Sequence, residues 1–330
     1  MSPLARALAE RIRRDGPLSV EAYMDACNAY YYATRDPLGA GGDFTTAPEI
    51  HQMYGEMIGA ALADAWGRAG RPEGIRYAEL GPGRGTLAAD ALRVMAAAGC
   101  VPVSVELVET SPALRAAQSQ KIPRAKFHDG IAGLADGAGP LLVVANEFFD
   151  ALPVRQYVGE QERHLILAAG GLAFDRDGEV VERSPAREQA MAELAGLLRE
   201  RGGIAILIDY GHDREGAAGD TLQAVRGHRF AYVLDRPGEQ DLTCHVDFAA
   251  LARVATASGA KASRPVSQGS WLETLGIGAR AMALAASNPA KTEAIAAARR
   301  RLCDDDQMGR LFKVMAIRAP DWPEVAGLER

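Results

Sequence analysis

Three glycines alternate in Glu79-Leu-Gly81-Pro82-Gly83-Arg-Gly85-Thr86, with a carboxylate two positions before the first. Residues without Cβ atoms let a backbone turn sharply and approach a ligand more closely than other residues can. Ile75, Tyr77 and Leu80 before the turn suit a short strand, and Leu87, Leu92, Val94 and Met95 after it recur at helical spacing. A helix opening at such a turn aims its free N–H groups at the ligand. The chemistry that fits is the holding of a nucleotide or nucleoside, with a glycine turn of purely structural role as the alternative.

The spacing separates two kinds of ligand. Dinucleotide-binding oxidoreductases use G-x-G-x-x-G, whereas Glu79-x-Gly81-x-Gly83-x-Gly85 looks like the first motif of class I S-adenosylmethionine-dependent methyltransferases. The next apolar segment, Val103–Glu109, ends in an acid 26 positions after Gly83. Glu109 is placed there to accept hydrogen bonds from both ribose hydroxyls and to disfavour a 2′-phosphate. The cofactor expected is S-adenosyl-L-methionine, held by Glu79, Gly81, Pro82, Gly83, Gly85 and Glu109.

Other strand-terminal polar residues are candidates because ligands of doubly wound sheets sit outside the carboxyl ends of the strands. Asp129 could accept from the adenine amino group, or it is a plain turn aspartate. In Gly39–Thr46, the residues Asp43, Thr45 and Thr46 precede a helix N-terminus. They either hold the methionine carboxylate there or form a loop with a capping threonine. Asn146-Glu147-Phe-Phe-Asp150 follows an apolar run directly, where a methyl acceptor would stand. Carboxylates bind a guanidinium bidentately and orient its nitrogen, so Glu147, Asp150 and Asn146 are the candidate catalytic residues. The bland alternative has Asn146 and Asp150 bonding loop backbone while Phe148 and Phe149 fill core. The run lacks the D/N-P-P-Y pattern of adenine-amino methyltransferases. Gln240–Phe248 and Ser267–Leu272 read first as helix-capping segments and second as substrate contacts, with His212 or His245 as an unforced general base.

These residues need a scaffold. Apolar runs at 75–80, 103–109, 124–128, 141–145 and 204–209 alternate with helical patterns, which predicts an α/β fold: a Rossmann-like, mostly parallel sheet with helices on both faces, as in class I methyltransferases. Residues 1–72 read as an N-terminal helical cap, with Leu4, Leu8 and Ile12 on one face of a first helix and one long amphipathic helix from Pro48 to Leu62. Residues 73–330 read as the methyltransferase core, with insertions at about 154–183 and 212–303. The first insertion is a β-meander, Val154–Glu182, followed by a helix capped by Ser184-Pro185 and reaching about Arg201. Helices are expected near 246–258, 270–284 and 288–302, and 310–318 as a late edge strand.

Composition narrows the partners. The chain has 330 residues, 48% hydrophobic and 24% charged, with a net charge of −6. That balance, without any Lys/Arg tract interleaved with aromatics, argues against nucleic acid. No apolar run reaches the roughly 20 residues of a membrane helix, and there is no signal-peptide core. Cys27, Cys100, Cys244 and Cys303 lie far apart, so no metal site is expected and the thiols suit a reducing cytoplasm.

Together the segments resemble the MidA family of methyltransferase-like proteins. The strings that carry the resemblance are Gly42–Ile50, Glu79–Leu87, Leu107–Pro112, Ala145–Val154, Ile208–His212 and Asp241–Phe248, in order along most of the chain. Membership implies a class I methyltransferase core with a helical cap. The mitochondrial members, which include the assembly factor for respiratory complex I, further imply arginine dimethylation on a complex I core subunit. The expectation is therefore a protein-arginine N-methyltransferase with a protein substrate, cytoplasmic in a bacterium or in the matrix of a mitochondrion. A non-catalytic assembly protein retaining the fold, a small-molecule methyltransferase and a nicotinamide oxidoreductase are the competing readings. Thr110 stands where an apolar residue is common in the family, one place beyond the acid.

Overall fold

The computed structural model describes residues 2–34, 46–227 and 229–329. Six strands build its centre: β1 (Arg76–Leu80), β2 (Ser104–Val108), β3 (Ala125–His128), β4 (Leu141–Asn146), β5 (Gly203–His212) and β6 (Phe312–Arg318). They lie in the order β6-β5-β4-β1-β2-β3, with β6 alone of the six antiparallel to its neighbour. The middle strands must be apolar on both faces, since each face is covered. Every residue of β1 and β4 is buried, as are the first seven of β5.

Alternate residues divide between two cores. Leu142, Val144 and Ile206 face one, and Val143, Ala145 and Leu207 face the other. Helices α3 (Met53–Arg68) and α4 (Thr86–Ala97) cover the first face; α6 (Pro185–Arg201) and α7 (Phe248–Ala257) cover the second. Helix α5 (Pro112–Lys121) follows β2. Helices α3 and α4 approach closely because Gly59 lacks a side chain: a Cβ there would lie 2.5 Å from the Ala91 carbonyl oxygen. Register places Leu80 beside Val108 and Ala145, Val108 beside His128, and Asn146 beside Ile208. The carboxyl ends of five parallel strands therefore open on one side of the sheet.

Caps follow the expected chemistry. Ser111 Oγ accepts from the Leu114 N–H, Ser184 Oγ from Arg187 and Asp247 Oδ1 from Ala250, so Asp247 is a helix cap. Helices α1 (Pro3–Asp15) and α2 (Val20–Thr34) form a third core in which Leu8, Ile12, Tyr23 and Met24 meet Leu165 and Leu242. Among the described residues no helix is long and apolar enough to cross a membrane.

Four expectations need correction. The helix read from Pro48 to Leu62 is two: a short turn Ala47–Ile50, then α3, broken where His51 Nδ1 accepts the Met53 N–H at 3.2 Å. The β-meander divides between two sheets, Arg155–Val158 pairing with Gln161–Glu162 and Val180–Arg183, and His164–Ala168 pairing with Gly171–Phe174 and Leu18–Ser19. The segment 270–284 is two helices separated at Gly276, whose φ of +90° no helix accommodates. Strand β6 is not at the edge, because Lys261–Ala262 and Val266–Ser267 pair with its outer side. Side-chain alternation reports which faces of a strand are covered, not which of its backbone edges is paired.

Candidate functional site

A cleft of about 1180 Å³ opens at the carboxyl ends of β1–β5. Its size exceeds the roughly 300–1,000 Å³ of a single small-molecule site, leaving room for a cofactor and an incoming side chain. Glu79, Gly81, Pro82, Gly83, Glu109, Asp129, Thr46, Asn146, Glu147 and Asp150 all line it. Asp43 and Thr45 lie outside the described residues.

The glycine turn has the backbone its composition demands. Gly81, Gly83 and Gly85 have φ of +63°, +53° and +73°, a region where other residues are strained. Gly85 does not line the cleft. It is the residue at the N-cap of α4, and its vacant Cβ position faces Gln118 on α5 and Ile122 just past that helix's end. Gln118 in turn donates to the Gly83 carbonyl at 2.6 Å, so α5 braces the turn from behind. Thr46 occupies the N-cap of the Ala47–Ile50 turn without a side-chain capping bond, and Thr86 Oγ1 ties that turn to α4 through Glu49 Oε1 at 2.5 Å.

The three acids expected on the cofactor side, Glu79, Glu109 and Asp129, line the cleft in different surroundings. Glu79, 2% exposed, accepts from the Tyr77 hydroxyl at 2.6 Å, and burial pushes its carboxyl up to about 8. Glu109 accepts the Ser111 N–H at 2.8 Å on Oε1 and Gln118 Nε2 at 3.3 Å on Oε2, and burial raises it too. Each of its oxygens keeps acceptor capacity for a hydroxyl. Asp129 is instead at the rim, paired with Arg115 at 2.6 Å and 88% exposed in its side chain. Val108, Leu114 and Ile131 supply an apolar wall beside it.

The turn after β4 carries the acidic end. Glu147 has φ of +51°, strained backbone that this site maintains for a non-glycine residue. Its N–H bonds the Ile208 carbonyl, and Oε1 accepts from Asn146 Nδ2 at 3.1 Å. Burial, then the neighbouring Asp150 charge, push Glu147 up to about 8. Asp209 does not reach into the cleft: its Oδ2 accepts the Phe149 and Asp150 N–H groups, both at 3.1 Å, and pins the turn to β5. Burial raises Asp150, and its Oδ1 is buried with no hydrogen-bond partner. Phe149 fills core, while Phe148 lines the cleft against Gly81.

Sequence reasoning missed several supports. Arg187, buried in the first turn of α6, donates to the carbonyls of Phe149 (2.6 Å), Asp150 (3.1 Å), Cys244 (3.0 Å) and His245 (2.6 Å). It clamps the Glu147 turn to the Asp241–Asp247 segment. Asp25, Asn28, Ala29 and Tyr32, at i, i+3, i+4 and i+7, form one wall from a single face of α2, and the polar Asp25, Asn28 and Tyr32 at that spacing are the signal that could find it. Asn28 joins that helix to the site through the Ala151 and Leu242 carbonyls at 3.0 and 2.8 Å. The Tyr32 hydroxyl donates to Asp241, which also lines the cleft. His245 is at the cleft, its imidazole pKa lowered by burial and then by the neighbouring His212, whereas His212 is not among the lining residues. No cluster fit for a metal ion occurs among the described residues.

Among the described residues, the lining sets Glu79, Glu109, Glu147, Asp150 and Asp241 against one guanidinium, Arg84. Such a cleft is short of positive charge. S-adenosylmethionine, with its ammonium and sulfonium, fits these residues: hydroxyl acceptors at Glu109, a close-approach turn at Gly81–Gly83, and buried acids with unspent acceptor capacity.

Comparison with known proteins agrees. The family profile described as "Putative S-adenosyl-L-methionine-dependent methyltransferase" matches residues 57–169 and 162–266. The mouse protein arginine methyltransferase NDUFAF7, mitochondrial, is 32% identical, the alignment covering 96% of this chain and 84% of that protein. The Drosophila melanogaster homolog is 33% identical, covering 95% and 84%. A Burkholderia thailandensis crystal structure bound to S-adenosyl-homocysteine superposes with a TM-score of 0.82 at 26% identity, covering 96% of this chain and 93% of that one. The chain belongs to this family, the class I S-adenosylmethionine-dependent methyltransferases whose MidA motif strings it carries.

Proposed function

We propose that the protein methylates arginine side chains of a protein substrate, with a subunit of respiratory complex I or its bacterial counterpart as the target class. The observation that carries this reading is the buried acidic turn after β4, where Glu147 and Asp150 line the cleft and Asp150 Oδ1, despite the Tyr210 hydroxyl and the nearby Arg187 charge on the same carboxylate, has no partner of its own. A guanidinium supplies a cation and planar N–H donors, which pair with carboxylates bidentately. A neutral methyl acceptor would bring no cation to these desolvated acids, whose hydrogen-bond partners in the protein leave Asp150 Oδ1 unfilled. The arginine methyltransferases named NDUFAF7, aligned over nearly the whole chain, support the same assignment.

In this reading residues 1–72 act as a cap whose helix α2 walls the substrate side, and residues 73–330 form the transferase core. Glu79, the Gly81–Gly83 turn, Glu109 and Thr46 hold S-adenosylmethionine, which supplies a methyl group activated by its sulfonium. Asp129 at the rim meets the adenine edge. Glu147 and Asp150 orient the guanidinium so that one Nη faces the methyl, and positioning is the larger part of catalysis in an in-line displacement. The N–C bond would form as the methyl–sulfur bond breaks, leaving a neutral thioether, and the guanidinium would shed one Nη proton to ionised Glu147 and so keep its single charge. Burial raises the Glu147 carboxyl to about 8 in the free cleft, and a guanidinium bound against it favours the ionised form, so the substrate itself readies Glu147 to take that proton.

The test is transfer of labelled methyl from S-adenosylmethionine into proteins of a cell extract, followed by hydrolysis and amino-acid analysis. Label should appear in methylarginines and fall about 100-fold or more with Glu147→Gln. Label in metabolites alone points to a small-molecule acceptor. No label, with cofactor still bound, points to a non-catalytic assembly protein.

A further inference from the structure

Behind Glu147 runs a buried file of polar side chains drawn from distant parts of the chain. Gln268 is fully buried at the start of the helix Gln268–Thr274 and donates its Nε2–H to the Leu302 carbonyl at 2.9 Å. That bond turns its Oε1 toward Tyr54. The Tyr54 hydroxyl, buried in the first turn of α3, donates to Asn146 Oδ1 at 2.5 Å and has Gln268 Oε1 at 3.3 Å. Asn146 then presents Nδ2 to Glu147 Oε1 at 3.1 Å. An amide carries one acceptor end and one donor end, so fixing either end fixes the other. Between two acceptor oxygens the phenol can only donate, and burial keeps it protonated. Tyr54 and Gln268 do not line the cleft; Asn146 and Glu147 do.

We propose that Tyr54 is a positioning residue for the transfer reaction, holding the Asn146 amide so that its N–H grips Glu147 as an oriented carboxylate. The inference rests on the role assigned to Glu147 above. Besides the Tyr54 phenol, five groups act on that carboxylate: the Asn146 amide, the Ala47 N–H, Asp150 in its own turn, Asp241 from the strand Asp241–Thr243, and Asp209 on β5. Only the Asn146 and Ala47 N–H donors favour the ionised form, while the three acids oppose it. Removing the phenol's proton frees Asn146 to rotate and offer Oδ1 instead. An acceptor facing Glu147 favours its protonated form, in which it can neither take a proton nor carry the charge that pairs with a guanidinium.

The variant is Tyr54→Phe, which deletes one oxygen. Four quantities are measured: kcat and KM on an arginine-containing protein substrate, the pH–rate profile, S-adenosylhomocysteine affinity, and the Glu147 titration midpoint by ¹³C carboxyl NMR in substrate-free protein. We expect kcat at pH 7 to fall roughly tenfold, as for loss of one hydrogen bond to a charged group, with KM and S-adenosylhomocysteine affinity within about twofold. The acid limb of the profile and the NMR midpoint should both move to higher pH. A loss of equal size at every pH, or a midpoint that stays in place, overturns the proposal. If Tyr54→Phe no longer binds S-adenosylhomocysteine and has lost its fold, Asn146→Ser cuts the same file and must displace the midpoint in the same direction. Wild-type protein that transfers nothing to arginine refutes the proposed function instead, and the NMR midpoint still decides whether Tyr54 controls Glu147.

Discussion

Replacing Arg187 should loosen the whole acidic end of the cleft, because one guanidinium holds four carbonyl oxygens on two separate segments. Hydrogen bonds from a charged donor contribute about 1.5–3 kcal/mol each, so four amount to roughly 6–12 kcal/mol before the cost of burying the cation. That desolvation takes back several kcal/mol. The remainder, about 3–5 kcal/mol, is a large share of the roughly 5–15 kcal/mol that stabilises a typical folded domain. Arg187→Met keeps much of the volume and leaves the four oxygens without donors. Arg187→Lys restores the charge but not the planar fork, and its compact ammonium cannot span both segments. Urea unfolding of the ligand-free protein, followed by circular dichroism, checks this. We expect a loss of about 3–5 kcal/mol for Arg187→Met, with Arg187→Lys recovering less than half of it. Full recovery by lysine, or a loss under about 1 kcal/mol for methionine, would refute the clamp.

Three further outcomes follow from the same geometry. Gly83→Ala, at a φ of +53°, should weaken S-adenosylhomocysteine binding about tenfold or more in calorimetry, since a left-handed alanine costs about 1–2 kcal/mol before any contact with the ligand; unchanged affinity contradicts the close-approach turn. Glu147, raised from an unfolded value near 4.5 to about 8, disfavours the folded state as it ionises, so its contribution is fully present below 4.5 and is lost as pH rises through 8. Glu147→Gln should therefore match wild type in stability at pH 4.5 and exceed it by about 2 kcal/mol at pH 8.5 in urea titrations, a figure lowered for the water that reaches the cleft; a difference independent of pH refutes the assignment of burial as the cause. For Glu79, raised to about 8 by burial, the sign is the same, so a cationic cofactor that favours its ionised form should stabilise the protein more at pH 8 than at pH 6 in thermal melts, and equal stabilisation at both counts against it.

The contrast between what local chemistry announces and what it conceals is instructive here. Glycines that must adopt positive φ, serines ahead of Pro-initiated helices, and runs such as Leu141–Ala145 declare themselves because each depends on its immediate neighbours. So did Glu109 and Glu147, since the carboxyl end of a parallel strand is a fixed place in this architecture. Tyr54, Gln268 and Arg187 were invisible for the opposite reason. Tyr54 and Arg187 sit in helices that read as ordinary core or surface, Gln268 in a segment that reads as a cap or a substrate contact, and their meaning comes from partners 92, 38 and 214 positions away. Gly85 looked like a third ligand-facing glycine but packs against α5, a distinction that turns on which helix passes behind it. Asp129 was placed at the right strand end, yet Arg115 already occupies one of its oxygens.

What the cleft at the glycine turn holds decides the chemistry of this protein. Calorimetric titration of the purified protein with S-adenosylhomocysteine and, separately, with NAD tests it directly. We expect saturable one-to-one binding of S-adenosylhomocysteine, weakened at least tenfold by Glu109→Ala, and no measurable heat with NAD. Tighter binding of NAD, or S-adenosylhomocysteine binding indifferent to Glu109, contradicts the assignment of this cleft.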